Sequence, residues 1–453
     1  MNLNLKKVSV ALLLATSLTA CVDDGEDGQA GAAGANGAAG VDGTNGVSTY
    51  VTVDDVLKTN ANIAYAAYSD SLIAAKSLET AVATFVATPS AENMQAAKKA
   101  WLDAREPYGQ TEVYRFRDGP IEAREGNINA WPLGEAVIDY VAVEVDGEAN
   151  SGDAANISAG NIIANTADYP TITTDAIDSV FELEGDESFV TTGYHAIEFL
   201  LWGQDLNNDL SGSGTRDNTA GQRPVTDYSN TPGACTSGET LVADAICTRR
   251  GEYLKAVTAL LITDLTDIVE AWEPSGSDNH YQTFIAGGNE SLATILEGMG
   301  RLSFGELAGE RINIALVNNS QEDEHSCFSD NTHRDIFLNA KGVQNSYNAQ
   351  YTRIDGEVVT GASLYDLLVV SGEHELANTL RGALEATMSA ATVVDTKAKT
   401  GTPFDLLIQE GFNQGNVVAV IQALSAQTDV IEQAIDALGV TTEDLRQDTE
   451  EDI

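Results

Sequence analysis

The segment 193–203, GYHAIEFLLWG, holds the two side chains of this chain that are best suited to chemistry. His195 and Glu198 are three residues apart, so on a helix they project from the same face. Imidazole and carboxylate are both good ligands for a borderline or hard metal cation. The apolar run 199–202 predicts a buried helix, and a buried glutamate needs a metal, a cation or hydrogen bonds. The pair is therefore a candidate metal-binding element.

A second group of polar residues lies on and after a helix that is predicted from Ser90 to about Phe116, with a bend near Pro107. One stripe of that helix carries Trp101, Arg105, Tyr108 and Glu112, and Arg115 and Arg117 follow. In so acidic a chain, the last two arginines are candidates to hold an anion or to orient carboxylates. An internal salt-bridge network is the alternative interpretation.

A third group lies in the second half of the chain. Glu306 and Glu310 are four residues apart, with Arg311 adjacent. The segment 322–335, EDEHSCFSDNTHRD, then supplies two histidines, a cysteine and several carboxylates, among them His325, Cys327, Asp330 and His333. These residues are potential ligands, although Ser329, Asp330 and Asn331 are also suited to capping a helix that starts nearby.

Several enzyme classes lack their signatures in this sequence. HExxH, GxSxG, GxxxxGK[ST] and CxxC are all absent, so the usual zinc protease, serine hydrolase, phosphate-loop and thioredoxin-like sites are unsupported. Cys235 and Cys247 are predicted to form a disulfide, because they flank a short Gly- and Ser-containing stretch of an exported chain. Cys327 is then unpaired and buried.

The composition of the chain excludes some classes of binding partner. The chain of 453 residues has a formal net charge of -45, which repels nucleic acid and anionic lipid headgroups. Solubility or adaptation to a salty medium explains this excess better than a dedicated function. With 43% hydrophobic residues the chain is too apolar to be disordered, and its length suggests two domains.

The first residues are typical of an export signal. Lys6 and Lys7 precede an apolar stretch, residues 8–18, that is too short to span a bilayer. Residues 18–21, LTAC, resemble a bacterial lipobox, which predicts a signal peptide over residues 1–20 and lipid on Cys21. By the bacterial sorting rule that this resemblance brings, Val22 favours the outer membrane. An uncleaved membrane anchor is the alternative.

A glycine occurs at every third position from Gly25 to Gly46, which is the period of collagen. The repeat is short and contains no proline, so we interpret residues 21–49 as a lipidated spacer, either a flexible stalk or a trimerising element.

Beyond residue 50 the apolar residues follow a helical period, and strand-like alternation is plausible only around Tyr351–Val359. The sequence therefore predicts an all-α protein. A loop over residues 204–234 divides it into an N-terminal helical domain, 50–235, and a C-terminal helical domain, 236–453. The similar sizes suggest duplicated bundles, although no strong internal sequence repeat supports duplication.

Taken in order, these blocks resemble the imelysin family, close to the bacterial iron-regulated protein A group. The resemblance is carried by WLDAREPYGQTE (101–112), NAWPLGE (129–135), GYHAIEFLLWG (193–203), ELAGER (306–311) and EHSCFSDNTHRD (324–335). It extends from about residue 50 to 440 and implies two helical bundle-like domains, a role in iron acquisition at the cell envelope, and a functional GxHxxE motif at Gly193, His195 and Glu198.

The function that this resemblance implies is iron binding or uptake by an envelope lipoprotein, with iron or an iron chelate held in a cleft between two helical domains. The expected metal ligands are His195, Glu198, Glu112 and His333, supported by Arg115, Arg117, Arg311 and Asp330. Carboxylate and imidazole together suit iron, which is the expected metal, and zinc ranks behind it. The expected partners are iron or its chelate, an envelope iron transporter and, through Cys21 alone, the outer membrane.

Two other functions stay open. The family also carries a metallopeptidase designation, which the absence of a second zinc-ligand motif makes the runner-up. The collagen-like repeat suggests a surface scaffold or adhesion lipoprotein as a third possibility.

Overall fold

The protein is described by a computed structural model that covers residues 50–117, 119–141, 161–183, 189–207, 216–409, 411 and 414–447. The predicted signal peptide, the lipidated Cys21 and the Gly-x-x spacer lie outside these residues. These described residues form one compact unit. The division into two domains near residue 235 stays a prediction.

Helix accounts for about 63% of the structure and strand for only 3%, so the all-α prediction is confirmed. The longer helices are Val53–Ala87, Ala91–Tyr108, Gly193–Trp202, Asp244–Ala271, Asn289–Arg301, Thr332–Asn348, His374–Lys399 and Gly415–Leu438. The shorter α-helices are Glu125–Asn129, Glu135–Ile138, Thr174–Asp178, His280–Ala286, Ile314–Asn318, Leu364–Val370 and Phe404–Leu407. Two 3-10 turns, Glu112–Tyr114 and Val225–Tyr228, and a π-helix, Leu302–Asn313, complete the helical part.

Local sequence signals fix the first two helices. Thr52 and Asp55 form a capping box, in which the Asp55 amide donates to Thr52 Oγ1 at 3.2 Å. Ser90 caps the second helix, as predicted, by accepting a hydrogen bond from the Asn93 amide at 3.1 Å. The second helix ends at Tyr108 rather than near Phe116, because the amides of Gln110 and Thr111 donate to carbonyls three residues earlier, those of Pro107 and Tyr108, instead of four.

Two small antiparallel hairpins interrupt the helices. The predicted alternation near Tyr351 is a hairpin that pairs Gln350–Thr352 with Val358–Thr360. A second hairpin pairs Thr236–Ser237 with Thr240–Leu241. Gly238 has a φ of 64°, a left-handed conformation that favours a turn.

The long helices share one hydrophobic core, which extends from Val56 to Leu445. Val53–Ala87 packs against Ala91–Tyr108 and Asp244–Ala271, and His374–Lys399 packs against Thr332–Asn348 and Gly415–Leu438. The core therefore passes through both predicted halves. No helix among the described residues has the length and apolar character needed to cross a membrane.

Candidate functional site

The helix Gly193–Trp202, here called the motif helix, is buried at every residue. Its first residue must be glycine: φ is +79°, and a Cβ there would lie 2.4 Å from the Ile128 carbonyl oxygen. The Trp101 indole donates to the Tyr194 carbonyl at 2.9 Å. Close backbone approach and this hydrogen bond set the position of the motif helix, and with it the direction of His195 and Glu198.

His195 and Glu198 contact each other directly. His195 Nδ1 lies 2.9 Å from Glu198 Oε2. The other carboxylate oxygen, Oε1, accepts hydrogen bonds from the Ser329 amide at 2.9 Å and from Ser329 Oγ at 2.6 Å. Both oxygens of Glu198 therefore have partners, and the carboxylate is placed to orient His195.

A second histidine is held in the same way. His325 Nδ1 lies 2.8 Å from Asp335 Oδ2, which also accepts from Ser326 Oγ. The Arg105 guanidinium donates to Asp335 Oδ1 at 3.0 Å. A carboxylate that holds Nδ1 fixes the tautomer and directs Nε2 towards a ligand, as in many metal sites.

The two imidazoles, here called the paired histidines, are in contact. The ring centroids of His195 and His325 are 4.6 Å apart and nearly perpendicular. His195 Nε2 is buried and has no hydrogen-bond partner among the described residues. His325 Nε2 lies 3.4 Å from Asn129 Nδ2. Trp131, which is partly exposed, packs edge-on against His325 with centroids 5.3 Å apart.

Burial dominates the ionisation of this site. It lowers the pKa of His195 well below the usual value, with His325 and Arg105 acting in the same direction. Burial, then Arg311, lowers the pKa of His325 to about 4. The paired histidines are therefore neutral near pH 7, which leaves imidazole lone pairs for a ligand.

The two carboxylates respond differently to the same burial. Burial raises the pKa of Glu198 to about 8, against the opposing hydrogen bond from Ser329. Burial would also raise the pKa of Asp335, but the Arg105 charge, His325 and Ser326 hold it well below its usual value. Asp335 is thus ionised near pH 7, and His325 donates its Nδ1 proton to it.

Glu112 belongs to a charged network beside the paired histidines. It accepts from Arg311 Nη2 at 2.8 Å and from Asn129 Nδ2 at 3.3 Å, and Asn129 links it to His325. Burial would raise the pKa of Glu112, but Arg311 and Arg115 lower it. Glu112 is therefore an ionised carboxylate with its charge already paired.

The π-helix explains the partner of Glu306. In a π-helix the hydrogen bonds run from i to i+5, so residues five apart share a face. Arg311 Nε accordingly donates to Glu306 Oε1 at 2.9 Å, and Arg115 Nη1 reaches the same carboxylate at 2.8 Å. Arg115 and Arg311, which the sequence marked as supporting residues, thus orient carboxylates.

The other predicted site residues lie elsewhere. His333 Nδ1 is 2.9 Å from the Asp330 carbonyl, and its Nε2 is 3.8 Å from Asp395. Arg117 donates to Asn60 at 3.0 Å. Neither His333 nor Arg117 contacts the paired histidines within the described part of the chain. No three His, Cys, Asp or Glu side chains of that part converge on a point that could hold a metal ion.

The sequence alone does not reveal the roles of several residues at this site. His325, Asp335, Asn129 and Arg105 lie within the blocks that carry the family resemblance, yet nothing in their spacing pairs them. His325 and Asp335 are ten residues apart in sequence, a spacing that does not predict contact within one helix or one strand. The clue that the sequence offered for this site was the high density of polar residues beside the predicted capping residues.

The disulfide between Cys235 and Cys247 has an S–S distance of 2.09 Å and a Cα–Cα distance of 5.8 Å. It ties the hairpin at Thr236 to the helix Asp244–Ala271. Cys327 is a free, buried thiol.

The fold and this site define the class of protein. The Imelysin family model matches residues 64–431, so the chain belongs to the Imelysin family. Its helical fold is shared with two crystal structures, each covered over 97% of its own length and aligned with 86% of this chain.

The more similar of these two is described as an iron-regulated protein A precursor from Parabacteroides distasonis, with a TM-score of 0.60 and 15% identity. The other is an imelysin-like protein from Psychrobacter arcticum, with a TM-score of 0.54 and 16% identity. A curated relative, iron-regulated protein A of Synechococcus elongatus, is 37% identical over 59 residues. That alignment spans 13% of this chain and 17% of the relative.

Proposed function

We propose that this imelysin-family protein binds iron, as a chelate that brings ligands of its own, at the paired histidines. The observation that carries the proposal is the pair of touching imidazoles, each with Nδ1 held by a buried carboxylate at 2.8–2.9 Å. His195 Nε2 is a buried nitrogen without a partner among the described residues, and a metal would satisfy it.

The choice of a chelate rests on the number of available donors. Imidazole nitrogen is a good iron ligand, but two imidazoles leave most coordination positions open. Glu198 and Glu112 have their oxygens engaged by Ser329, His195, Asn129 and Arg311. An iron chelate carries the missing oxygen ligands, so the protein needs to add only His195 Nε2, which has no partner among the described residues, and His325 Nε2, which would give up its 3.4 Å contact with Asn129 Nδ2.

Iron binding is tested by titrating the purified mature protein with ferrous iron alone and with ferric citrate. We expect His195→Gln and His325→Gln each to weaken binding by at least about tenfold, since each removes a direct ligand. His374→Gln is the matched control, because His374 is exposed and far from the motif in sequence. Unchanged binding of both probes in both variants overturns the proposal.

His333→Gln distinguishes the two possible sets of metal ligands, one that includes His325 and one that includes His333. If binding at the paired histidines is right, this variant retains the wild-type affinity, because His333 Nδ1 is engaged by the Asp330 carbonyl. A loss equal to that of His195→Gln instead supports the ligand set that the sequence suggested.

Binding is favoured over metallopeptidase activity by the partners of Glu198. A metallopeptidase needs a carboxylate free to act as the base for a metal-bound water. Both oxygens of Glu198 are instead engaged, one by His195 and the other by Ser329. Incubation with unfolded polypeptide, with and without a chelator, distinguishes the two: cleavage that disappears with chelator and in Glu198→Ala supports the peptidase.

We also propose that lipid on Cys21 holds the protein at the outer membrane, where an envelope transporter passes on or receives the iron. The lipobox-like LTAC sequence supports this location. Membrane fractionation tests it: Cys21→Ser should move the protein from the membrane to the soluble fraction.

A further inference from the structure

A short stretch of chain, residues 129–132 and here called the strap, lies over the paired histidines. His195 and His325 are each only 2% exposed, so a chelate cannot reach their nitrogens unless a neighbour moves. Asn129 Nδ2 lies 3.4 Å from His325 Nε2, and Trp131 packs edge-on against the same imidazole with ring centroids 5.3 Å apart. Two of the four residues of the strap therefore contact a candidate metal ligand.

The strap is fixed on both sides and exposed in the middle. Before it, the Ile128 carbonyl packs so closely on Gly193 that only glycine fits there. After it, Leu133 is buried. Between these points Trp131 is partly exposed and Pro132 is exposed. The backbone of the strap is thus anchored, and Trp131 is the residue of the strap that contacts both His325 and solvent.

Trp131 is held less firmly than the other three tryptophans. Trp101, Trp202 and Trp272 belong to the hydrophobic core, and the Trp101 indole also donates a hydrogen bond to the motif helix at 2.9 Å. Trp131 is not part of that core, and its indole makes no hydrogen bond with any described residue. Its side chain can therefore rotate away from His325 without breaking a hydrogen bond or uncovering the core.

We propose that Trp131 is the gate of the iron site: its ring closes over His325 in the free protein and rotates outward to admit the chelate. This inference rests on the proposed function, because it names the route by which the chelate reaches the paired histidines. Asn129 then gives up only a 3.4 Å contact with His325 Nε2, which is long for a hydrogen bond. Its contacts with Arg105 and Glu112 are retained.

The gate is tested first without iron, by the rate at which diethyl pyrocarbonate modifies His325 in the purified mature protein. The reagent reacts with the lone pair of a neutral imidazole, and His325 is neutral at pH 7 because burial lowers its pKa to about 4. We expect Trp131→Ala to raise this rate at least about tenfold, and Trp131→Phe, which keeps an aromatic ring over His325, to stay within about twofold of the wild type. Peptide mass spectrometry assigns the modified residue.

His280 and Tyr365 provide the controls. His280 is partly exposed and packs edge-on against Trp272, so a general loosening of the fold would raise its rate of modification as well. Tyr365→Ala removes another partly exposed aromatic ring, one that is not near the strap in sequence, and should leave the rate at His325 unchanged. An unchanged rate at His325 in Trp131→Ala, or an equal rise at His280, overturns the proposal.

Stopped-flow binding of ferric citrate then separates the gate from the proposed function. We expect Trp131→Ala to raise the association and dissociation rate constants together, each by about tenfold, because a gate limits passage in both directions. Rate constants equal to those of the wild type overturn the gate while leaving iron binding intact. Absence of ferric citrate binding in the wild type overturns the proposed function, and the rate of modification at His325 then still decides whether Trp131 closes over that imidazole.

Discussion

His195 and His325 meet with their ring centroids 4.6 Å apart, and each presents Nδ1 to a different buried carboxylate. One residue comes from the motif helix and the other from the polar segment before the helix Thr332–Asn348. Ser329, in that same segment, binds Glu198 through both its amide and its hydroxyl. The GxHxxE motif is thus completed by a distant part of the chain.

The first prediction concerns Glu198. A metal on His195 Nε2 requires the Nδ1 proton to be donated to an ionised Glu198, whose pKa is raised to about 8 in the metal-free protein. Glu198→Gln keeps the shape of the side chain but cannot ionise. We expect iron affinity to fall by about 10–100-fold, the usual effect of losing a carboxylate behind a ligating histidine. Isothermal titration with ferric citrate measures it. An affinity equal to that of the wild type would show that Glu198 does not position the ligand.

The second prediction concerns the first residue of the motif. Gly193→Ala should lower the free energy of unfolding by about 3 kcal/mol or more, because φ is +79° and the new Cβ would lie 2.4 Å from the Ile128 carbonyl. Urea unfolding followed by circular dichroism measures this change.

Gly382→Ala provides the control for that substitution. Gly382 lies in the helix His374–Lys399, and a Cβ there would meet nothing within 4 Å. The control should therefore gain about 0.5–1 kcal/mol of stability, the usual advantage of alanine over glycine in a helix. Equal effects of the two substitutions would contradict a packing role for Gly193.

Local patterns were enough to predict the helical class, the Ser90 cap and the strand-like segment near Tyr351, because each depends on residues that are close in sequence. The motif itself was visible for the same reason. The tertiary partners of the motif were not, since the Ser329 and Asn129 contacts depend on how distant segments pack. The π-helix was also hidden, because its i→i+5 hydrogen bonds replace the i→i+4 pattern on which the pairing of Glu306 with Glu310 depends.

The third prediction concerns the stability of the fold at low pH. Burial by itself would raise the pKa of Glu306, but Arg115 and Arg311 lower it to about 2. A carboxyl with a lowered pKa stabilises the folded state above its usual pKa, and this contribution is lost as pH falls from about 4.5 towards 2. At pH 7, Glu306→Gln should therefore cost on the order of 3 kcal/mol.

Chemical unfolding at a series of pH values provides the measurement. The difference between wild type and Glu306→Gln should shrink steadily between pH 4.5 and 2. A difference that stays constant over this range would show that the charge of Glu306 contributes nothing to stability.

The fourth prediction concerns three buried carboxyls whose pKa is raised rather than lowered. Their effect on stability therefore changes with pH in the opposite direction. Burial raises the pKa of Asp405 to about 7, and the same cause together with Asp405 raises the pKa of Asp330 to about 8. Asp205, which is near both, is raised to about 10. A carboxyl with a raised pKa stabilises the folded state below its usual pKa, and this contribution is lost as pH rises through the folded value.

Asp405→Asn mimics the protonated carboxyl at every pH. We therefore expect the variant to unfold like the wild type near pH 3 and to be more stable by about 1–3 kcal/mol at pH 8. Asp395→Asn is the matched control, because Arg334 and Lys399 bind Asp395 at 3.0 and 2.9 Å and its pKa is lowered. That variant should lose stability at pH 8. If Asp405→Asn also loses stability there, the Asp405 carboxylate must be ionised and held by a cation.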